Sequence, residues 1–350
     1  MKSSYFIQTF GCQMNESDSE RLAGVFEKQG HKLAKKIDEA RLIVINTCSV
    51  RESAENRVFG LVNNLAKQKR KRQKVVLTGC MVGSARGTRR RYTLKQLQKR
   101  FPQVDEFKMI EELVGPEKIS PKRKKKTSAF IPIMEGCNHF CSYCVVPYAR
   151  GGEISRPFEE VVCEVEVLVE EGYKEINLLG QNVNSYGKNL KPQRKFSELL
   201  RRLHEVKGIK KISFITANPW DLTDDIIEAM TLSKIDRYLH LPVQSGDDRI
   251  LKKMNRPYTT RQYLKLVERI RKKIPDLKLG TDIIVGFPGE TKEAFEKTVK
   301  LCEEVGFVKA FIARYSPRPG TAAFKLKDDV SPEEKKRRWR ILEELINKKS

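Results

Sequence analysis

Short apolar runs alternate with amphipathic helical patterns through the first third of the chain. The apolar runs predict strands at Tyr5–Phe10, Leu42–Asn46 and Val75–Thr78. A helical pattern follows the first strand, and we expect it to begin after an N-cap at Ser17 or Asp18 and to end at Gly30. A second helical pattern starts near Arg51. This alternation predicts an open parallel sheet of the Rossmann-like α/β class.

The same alternation resumes after residue 130. Apolar runs predict six strands, at Phe130–Met134, Glu175–Leu179, Lys211–Ile215, Tyr238–Val243, Leu279–Val285 and Phe307–Tyr315. Helical patterns cover 157–171, 195–206, 222–231, 259–273 and 290–304, and a basic helical pattern covers Pro332–Lys348. Since six units are fewer than the eight that close a (β/α) barrel, we expect a partial (β/α)6 barrel with functional residues at the carboxyl ends of its strands.

Basic and small residues dominate the stretch between these two regions. Ser84–Arg91 predicts a basic loop, and Leu94–Phe101 and Met109–Val114 predict short helices. Pro121–Ser128 has the composition of a solvated linker. We therefore predict an amino-terminal domain over 1–118, a basic linker over 119–129, the barrel over 130–330 and a basic carboxyl-terminal helix over 331–350.

Composition and charge narrow the class of protein. The chain has 350 residues, of which 39% are hydrophobic and 33% charged, as in globular proteins of about two domains. The net charge of +24 indicates a polyanionic partner, although a lysine-rich proteome would also give basic proteins. Clustering into Lys67–Lys74, Arg86–Arg91 and Lys122–Lys126 favours nucleic acid, whether RNA or DNA. No signal or membrane-spanning stretch is visible, which predicts a cytoplasmic location.

Three cysteines lie within eight residues, in the pattern C-x-x-x-C-x-x-C formed by Cys137, Cys141 and Cys144. A chain of this type keeps its thiols reduced, so ligation is the better interpretation than disulfides. Structural zinc usually needs four ligands, whereas thiolates are the normal ligands of [4Fe–4S] clusters. Three ligands would leave one iron open for chemistry. The alternative is a zinc knuckle completed by His139 or a distant cysteine.

Three further cysteines share one topological position, because each directly follows a predicted strand. They are Cys12, Cys48 and Cys80. Since the carboxyl ends of parallel strands line one edge of a sheet, these thiols are predicted to converge on a single site. The alternative for each is a buried, inert cysteine. Cys163 and Cys302 lie in helical patterns and are predicted to be structural, and His240 is predicted to be a satisfied core or rim histidine.

The C-x-x-x-C-x-x-C pattern, with Tyr143 before its last cysteine, resembles the radical S-adenosylmethionine (SAM) enzymes. The longer string through Pro147, Arg150-Gly151, Glu153 and Ser155–Pro157 resembles their methylthiotransferase branch. The strings Thr9–Asn15, Asn46–Arg51 and Thr78–Met81 also match the amino-terminal domain of that family.

This resemblance implies two [4Fe–4S] clusters and SAM as cofactors. The open iron of the Cys137, Cys141 and Cys144 cluster would bind the amino and carboxylate groups of SAM, whose reductive cleavage gives a 5′-deoxyadenosyl radical. The second cluster, on Cys12, Cys48 and Cys80, would supply or carry sulfur. The predicted SAM pocket consists of small and amide side chains after the barrel strands, together with the aromatic of the cluster loop. Its residues are Tyr143, Gln181, Asn182, Asn218, Gln244 and Ser245.

The resemblance also implies the substrate and partners. Gln181–Gly187 is most similar to the branch that methylthiolates carbon 2 of isopentenyl-adenosine beside the tRNA anticodon. Sibling branches act on threonylcarbamoyl-adenosine or on an aspartate of a ribosomal protein. The expected partners are a tRNA anticodon stem-loop and an electron donor such as flavodoxin or ferredoxin, with no membrane and a monomeric enzyme. The small RNA-binding β domain of the family is expected to be absent, since the chain stops at Ser350.

A rival interpretation from another class is a non-enzymatic RNA-binding protein whose cysteines hold structural zinc. Iron with sulfide, as opposed to zinc without sulfide, distinguishes the two.

Overall fold

Parallel strands followed by helices make up most of the chain, as the sequence pattern predicts. The computed structural model describes residues 3–50, 52–68, 73–115 and 119–348. The chain divides into two compact units. Unit 1 comprises Met1–Lys126, Glu135–Asn138 and Val145–Gly152, and unit 2 comprises Thr127–Met134, His139–Cys144 and Glu153–Ser350. The domain boundaries given above stay predictions.

Unit 1 is built on one parallel sheet. Its strands are β1 (Ser4–Thr9), β2 (Lys32–Leu33), β3 (Leu42–Thr47), β4 (Lys74–Gly79) and β5 (Glu106–Phe107), in the order β2-β1-β3-β4-β5. Its helices are α1 (Gln13–Lys28), α2 (Glu52–Gln68), α3 (Cys80–Arg86), α4 (Leu94–Arg100), α5 (Ile110–Val114) and α6 (Val146–Ala149). Apolar side chains of the three central strands fill the core, and Ile43, Ile45 and Leu77 have no exposed surface.

The first helix begins earlier than predicted. Cys12 is its N-cap residue, with extended backbone, and Asn15 completes a capping arrangement with it. Ser17 and Asp18 were the predicted caps, but both are buried inside the helix, on its second turn. Short polar residues mark helix starts only statistically, and here they face the interior. The predicted second helix start at Arg51 lies outside the described residues.

Unit 1 differs from the prediction in two further places. The loop predicted over Ser84–Arg91 is helical as far as Arg86, because α3 starts directly at Cys80. Strands β2 and β5 each have two residues, too few to leave a periodic apolar pattern in the sequence.

Gly79, at the end of β4, has a backbone that other residues rarely adopt. Its φ is +83°, and a Cβ there would lie 2.4 Å from Asn46 Oδ1 and 2.6 Å from the carbonyl oxygen of Thr47. The chain therefore turns from β4 into α3 in direct contact with the end of β3, which only glycine permits.

Unit 2 contains the predicted parallel strands of the partial barrel, arranged as two three-stranded sheets. Their orders are β10-β9-β6 and β11-β12-β13. The strands are β6 (Ser128–Pro132), β7 (Met134–Glu135, at the unit boundary), β8 (Ile154–Ser155), β9 (Glu175–Leu179), β10 (Lys211–Phe214), β11 (Tyr238–His240), β12 (Lys278–Val285) and β13 (Lys309–Arg314). The helices are α7 (Phe158–Glu170), α8 (Phe196–Glu205), α9 (Asp224–Met230), α10 (Asp248–Lys253), α11 (Thr260–Lys273), α12 (Lys292–Val305) and α13 (Pro332–Leu342), which continues as a π-helix over Glu343–Asn347.

Several bounds in unit 2 differ from the predicted ones. The β6 strand begins at Ser128, and β11 ends at His240 because the chain breaks the ladder before Pro242, which has no N–H to donate. Helix α10 was not predicted. Among the described residues, no helix is long and apolar enough to cross a membrane.

The structure answers three single-residue expectations. His240 is 3% exposed, with Nε2 3.2 Å from Asp282 Oδ1, so it is the satisfied histidine that was predicted. Cys302 is buried in the core, and burial raises the pKa of its thiol to about 12. Cys163 is exposed on α7 and is therefore not a core residue.

We predict that Gly79→Ala destabilises unit 1 by about 1–3 kcal/mol, because alanine must adopt a strained backbone. The measurement is urea-induced unfolding. The matched control is Gly60→Ala in exposed helix α2, where a Cβ meets nothing within 4 Å and should stabilise by about 0.5–1 kcal/mol. Equal stability of the two variants would show that the Gly79 turn carries no strain.

Candidate functional site

Three strand ends of unit 1 present one cysteine each. Cys12 follows β1, Cys48 follows β3 and Cys80 follows β4. The three strands are adjacent, and their register pairs Thr9 with Asn46 and Thr47 with Gly79, so the strands end at the same level. All three thiols therefore lie at the carboxyl edge of this sheet, as the sequence predicts.

Two buried asparagines join the loops that carry Cys12 and Cys48. Asn15 Nδ2 donates to Asn46 Oδ1 at 3.0 Å and to the Thr47 carbonyl at 3.2 Å, and Asn46 Nδ2 donates to the Asn15 carbonyl at 2.8 Å. The Cys12 N–H donates to Asn15 Oδ1 at 3.3 Å. Both asparagines occur in the strings quoted above, but only the fold shows that they bond to each other.

Cys12 is exposed, yet its surroundings shift the pKa of its thiol. Burial raises the pKa of the Cys12 thiol, and the nearby Cys80 thiol raises it further, whereas Arg150 opposes both effects. The Cys48 sulfur accepts the Val50 N–H at 3.3 Å.

Arg150 is the main cation of this region, although it comes from the segment Val145–Gly152. Its side chain is 7% exposed and lies 2.6 Å from Asp18 Oδ2 and 2.6 Å from Glu135 Oε1. Burial alone would lower the pKa of Arg150, but Asp18, Cys80 and Glu135 outweigh it and raise the pKa, so the guanidinium stays charged. The sequence showed Arg150 only as part of a family string.

Close backbone packing brings this segment against the Cys80 helix. A Cβ at Gly83 of α3 would lie 2.0 Å from the carbonyl oxygen of Ala149, the last residue of α6. Glycine at position 83 therefore lets the two short helices touch, and Arg150 follows at the end of α6.

The C-x-x-x-C-x-x-C loop is divided between the two compact units, with Cys137 in unit 1 and the other two cysteines in unit 2. Cys137 is 7% exposed, and its N–H donates to the Gly151 carbonyl at 3.1 Å. Gly136 before it has φ +80°, and a Cβ there would lie 1.9 Å from the carbonyl oxygen of Gly152. Glycine is required at 136 for both reasons.

In unit 2, Arg256 lies beside the thiol of Cys141. Its Nη1 is 3.6 Å from Cys141 Sγ, and its guanidinium lies 4.5 Å from the Trp220 ring centroid. Burial raises the pKa of Tyr143 well above its usual value, with further contributions from Cys141 and Cys144 against the opposing effect of Arg256. Tyr143 therefore stays neutral. The cation that interacts with it is Arg256, which also contacts Cys141.

Two of the predicted SAM-pocket residues have buried amide oxygens without a partner among the described residues. They are Asn182 Oδ1 and Gln244 Oε1. Asn182 has no exposed surface, and Gln244 is 7% exposed with φ +69°, an unusual conformation for a residue other than glycine. A buried acceptor without a donor is costly, so these oxygens are suited to N–H groups of a ligand.

Three other predicted pocket residues follow strands β9, β10 and β11. Ser245 is fully buried, and its Oγ accepts the Asp247 N–H at 3.3 Å. Asn218 is tied to the loop after β9, since its N–H donates to Asn184 Oδ1 at 3.0 Å and its carbonyl accepts from Asn184 Nδ2 at 2.8 Å. Gln181 precedes Asn182 and is half-buried.

Asp221 was not predicted, yet it joins several of these loops. It accepts hydrogen bonds from Asn182 Nδ2 at 2.7 Å and Lys188 Nζ at 2.7 Å, and its Oδ2 is 3.1 Å from His139 Nε2. Burial opposes ionisation, but these bonds hold the pKa of Asp221 well below its usual range. His139 Nε2 also lies 3.1 Å from Trp220 Nε1. The signal in the sequence was an acidic residue just after the third barrel strand.

The thiols and amide oxygens fit the cofactors that the sequence implies. Among the described residues no group of three His, Cys, Asp or Glu side chains is arranged to hold a metal ion. The donors of both sets are nonetheless all thiols, the chemistry of iron–sulfur ligation. Arg150 and Arg256 provide positive charge beside them, which stabilises thiolates. The unpaired oxygens of Asn182 and Gln244 fit a polar ligand such as SAM.

One groove of unit 2, of about 230 Å³, borders the site and is lined by Pro219, Trp220 and Tyr258 among others. A groove of about 790 Å³ between α11 and α12 is lined by residues such as Arg261, Lys265 and Glu304, and contains none of the predicted site residues. Its shallow, charged lining is that of a surface between two helices.

The basic runs are partly neutralised within unit 1. Arg86 makes two hydrogen bonds to Glu112, at 2.5 and 2.8 Å. Lys122 lies 3.0 Å from Glu27, and the Lys124 N–H donates to Glu20 at 3.0 Å. Lys67–Lys74 lies partly outside the described residues. The run Lys122–Lys126 is thus anchored to α1 through Lys122 and the backbone of Lys124.

Comparison with known families defines the class. Residues 131–302 match the radical SAM superfamily, and residues 4–107 match the uncharacterized protein family UPF0004. The first match covers Cys137, Cys141 and Cys144, the second covers Cys12, Cys48 and Cys80, and together they confirm the predicted fold class.

Similar proteins of known sequence narrow the class of protein further. The tRNA-2-methylthio-N(6)-dimethylallyladenosine synthase of Clostridium perfringens is 45% identical, with 99% of this chain and 83% of that protein aligned. The protein of the same name from Clostridium beijerinckii is 44% identical over 99% of this chain and 81% of its own length. The chain belongs to the tRNA-2-methylthio-N(6)-dimethylallyladenosine synthase family.

Solved structures support the fold alone. The radical SAM methyltransferase TsrM from Kitasatospora setae aligns with a TM-score of 0.65 at 14% identity, covering 92% of this chain and 75% of that one. The cobalamin-dependent radical SAM enzyme OxsB aligns with a TM-score of 0.58 at 10% identity, covering 99% of this chain and 56% of that one.

We predict that Arg150→Met lowers the free energy of unfolding by about 3 kcal/mol at pH 7, because Asp18 is left buried without its near cation. An unpaired buried carboxyl has a pKa above that of the unfolded chain, so it binds a proton more readily when folded. Stability is then gained as the pH falls, and the deficit of the variant should shrink between pH 7 and about pH 5. Urea unfolding at several pH values measures this.

The control is Arg21→Met, which removes a more exposed cation 3.8 Å from the same carboxylate. It should cost less than about 1 kcal/mol. If both variants lose the same stability at every pH, Arg150 is not the partner that opposes the effect of burial on the pKa of Asp18.

Proposed function

We propose that this protein adds a methylthio group to carbon 2 of isopentenyl-adenosine (dimethylallyl-adenosine) next to the anticodon of tRNA. The observation that carries the proposal is the 45% identity, over 99% of the chain, to synthases named for that product. The placement of three cysteines at the sheet edge of unit 1 and three in the barrel loop supports it.

The names of these relatives favour this substrate over the alternatives. Threonylcarbamoyl-adenosine and a ribosomal aspartate require the same chemistry on a different recognition surface. All of the relatives cited above are named for the dimethylallyl-adenosine product. A base in a folded anticodon loop must be turned outward to enter an enzyme pocket, as RNA-modifying enzymes generally require.

We assign two sets of ligands. Cys12, Cys48 and Cys80 would hold an auxiliary [4Fe–4S] cluster, and Cys137, Cys141 and Cys144 the cluster that binds SAM. When bound, these groups and SAM supply reductive SAM cleavage, a sulfur atom and a methyl group. We further propose that the predicted domains, 1–118 and 130–330, divide this work, with 119–129 as the linker.

The side chains of this protein would bind SAM, orient the loops that carry the cysteines and balance the charge near them. In the barrel, the free oxygens of Asn182 and Gln244 would accept N–H groups of SAM, and Asp221 fixes the loop of Asn182 by accepting its amide N–H at 2.7 Å. Arg256 donates to Cys141 Sγ and would offset negative charge on this sulfur when it ligates a cluster. In unit 1, Asn15 and Asn46 orient the loops of the auxiliary ligands, and Arg150 adds positive charge near them.

We also propose the partners and location. The tRNA anticodon stem-loop is the substrate, and a small reductant such as flavodoxin or ferredoxin supplies electrons. The enzyme is proposed to act as a monomer in the cytoplasm.

An assay of purified protein tests the proposal. Anaerobically reconstituted protein is incubated with SAM, dithionite and tRNA containing isopentenyl-adenosine, and the nucleosides are analysed by mass spectrometry. The expected product is the methylthiolated nucleoside, and metal analysis should give about eight irons with sulfide. Zinc without sulfide and no product would favour the rival, a non-enzymatic RNA-binding protein.

We predict that replacing Cys12, Cys48 or Cys80 with alanine separates the two halves of the reaction. SAM should still be cleaved to 5′-deoxyadenosine, because the barrel cysteines are intact, but no methylthiolated nucleoside should form. Iron content should fall to about half. Cys141→Ala should instead abolish SAM cleavage.

Cys163→Ala is the control, since this thiol is exposed on α7 and belongs to neither set. It should retain both activities. If a folded Cys48→Ala protein makes methylthiolated nucleoside over many turnovers, the auxiliary cluster does not take part in the reaction.

We predict that neutralising Lys122–Lys126 weakens tRNA binding and flattens its salt dependence. Each lost phosphate contact should reduce the slope of log K against log salt by roughly 0.7–0.9. Filter binding at several salt concentrations measures this. As a control, alanine replaces the exposed lysines at the amino ends of the barrel strands, namely Lys207, Lys210, Lys272 and Lys278. If the slope of log K against log salt is unchanged in the Lys122–Lys126 variant, this run does not contact tRNA phosphates and is only a solvated linker.

A further inference from the structure

The part of the cluster loop that belongs to unit 2 is bonded to two neighbouring segments. The Ser142 N–H donates to the Met254 carbonyl at 3.0 Å, and Ser142 Oγ donates to the Lys253 carbonyl at 2.8 Å. The Ala323 N–H donates to the Ser142 carbonyl at 2.7 Å. The end of α10 and the 3₁₀ helix Ala322–Lys325 therefore border this loop directly.

Large apolar side chains are exposed both on the cysteine loop and on one of its bordering segments. Phe140 is 42% exposed and its carbonyl accepts from Asn255 Nδ2 at 2.8 Å, while Phe324 is 47% exposed on the 3₁₀ helix. Single exposed apolar residues are common on protein surfaces, whereas an exposed apolar patch with a polar rim is typical of a surface that binds a partner.

Four lysines stand on the same segments, and we call them the lysine rim. They are Lys252, Lys253, Lys325 and Lys327, all exposed. Nothing in the described chain forms an ion pair with any of them, whereas the nearby Asp328 is occupied by Lys335 at 2.6 Å. Asp329 accepts the Gly289 N–H at 2.7 Å. The rim therefore presents unneutralised positive charge around the exposed aromatic residues.

We propose that Phe140, Phe324 and the lysine rim form the docking surface for an acidic one-electron donor protein. The proposal rests on the function proposed above. One electron leaves the reduced donor and one electron enters the cluster of the barrel loop, with no bond made or broken. Complementary charge accelerates such brief encounters, and a small apolar contact suffices because redox complexes bury little area.

The position of the surface favours a redox protein over RNA. It borders the loop that contains Cys141 and Cys144. An electron from a bound donor would therefore travel a short distance to the cluster that these cysteines would hold. The densest basic run of the chain, Lys122–Lys126, lies in the other unit.

The test compares two reductants on the full chain with reconstituted clusters and SAM. Lys252, Lys253, Lys325 and Lys327 are replaced together by glutamate, and 5′-deoxyadenosine formation is driven either by reduced flavodoxin or by dithionite. With flavodoxin the initial rate should fall about tenfold or more, and its salt dependence should weaken. With dithionite the rate should be unchanged. The matched control places glutamate at Lys207, Lys210, Lys272 and Lys278, and should keep both rates.

A binding measurement makes the outcome independent of turnover. Titration calorimetry with oxidised flavodoxin should show an affinity at least about tenfold lower for the rim variant than for the control. Phe324→Ser and the double variant Lys325→Glu/Lys327→Glu, which leave the cysteine loop untouched, should show smaller losses in the same direction. Absence of SAM cleavage by the unsubstituted protein with dithionite would refute the proposed function, whereas calorimetry would still decide the docking surface. Equal flavodoxin affinity of rim variant and control, or a rim variant that loses tRNA binding instead, would overturn the proposal.

Discussion

The register of the parallel sheet in unit 1 is the constraint on which its cysteine site depends. Hydrogen bonding pairs Thr9 with Asn46 and Thr47 with Gly79, so three strands that are distant in sequence end together. A slip of one residue would turn every side chain of a strand to the opposite face. Strands β3 and β4 are buried on both faces, and their alternate residues pack into two separate apolar clusters. The register of the strands in turn fixes where three thiols emerge.

Charge balance is the second theme of the structure. Thiolates and carboxylates near them would repel one another, and each unit places a buried guanidinium among them. Arg150 is bonded to Asp18 and Glu135, whereas Arg256 donates to Cys141 and stacks on Trp220. Arginine suits this task because it remains charged when buried and combines hydrogen bonding with ring contacts.

Much of this architecture could be predicted from the sequence, because it depends on periodicity. Apolar runs located the central strands, and cysteines placed just after them indicated the site edge. What could not be predicted depends on contacts between distant residues. The capping of α1 by Cys12, the pairing of Asn15 with Asn46 and the bonds of Asp221 to Lys188 and His139 leave no local pattern. Strands of two residues, such as β2 and β5, are likewise too short to be recognised.

The membership of Val145–Gly152 in unit 1 has a consequence for how this protein can be divided. A fragment cut after Lys126 would keep the whole sheet and its three cysteines, yet Asp18 would lose Arg150 and Gly83 would lose the Ala149 backbone against which it packs. The unit is therefore discontinuous in sequence and cannot be exchanged between proteins as a single stretch of gene. Any recombination that exchanged the amino-terminal half would also have to carry Glu135–Asn138 and the eight residues after Cys144.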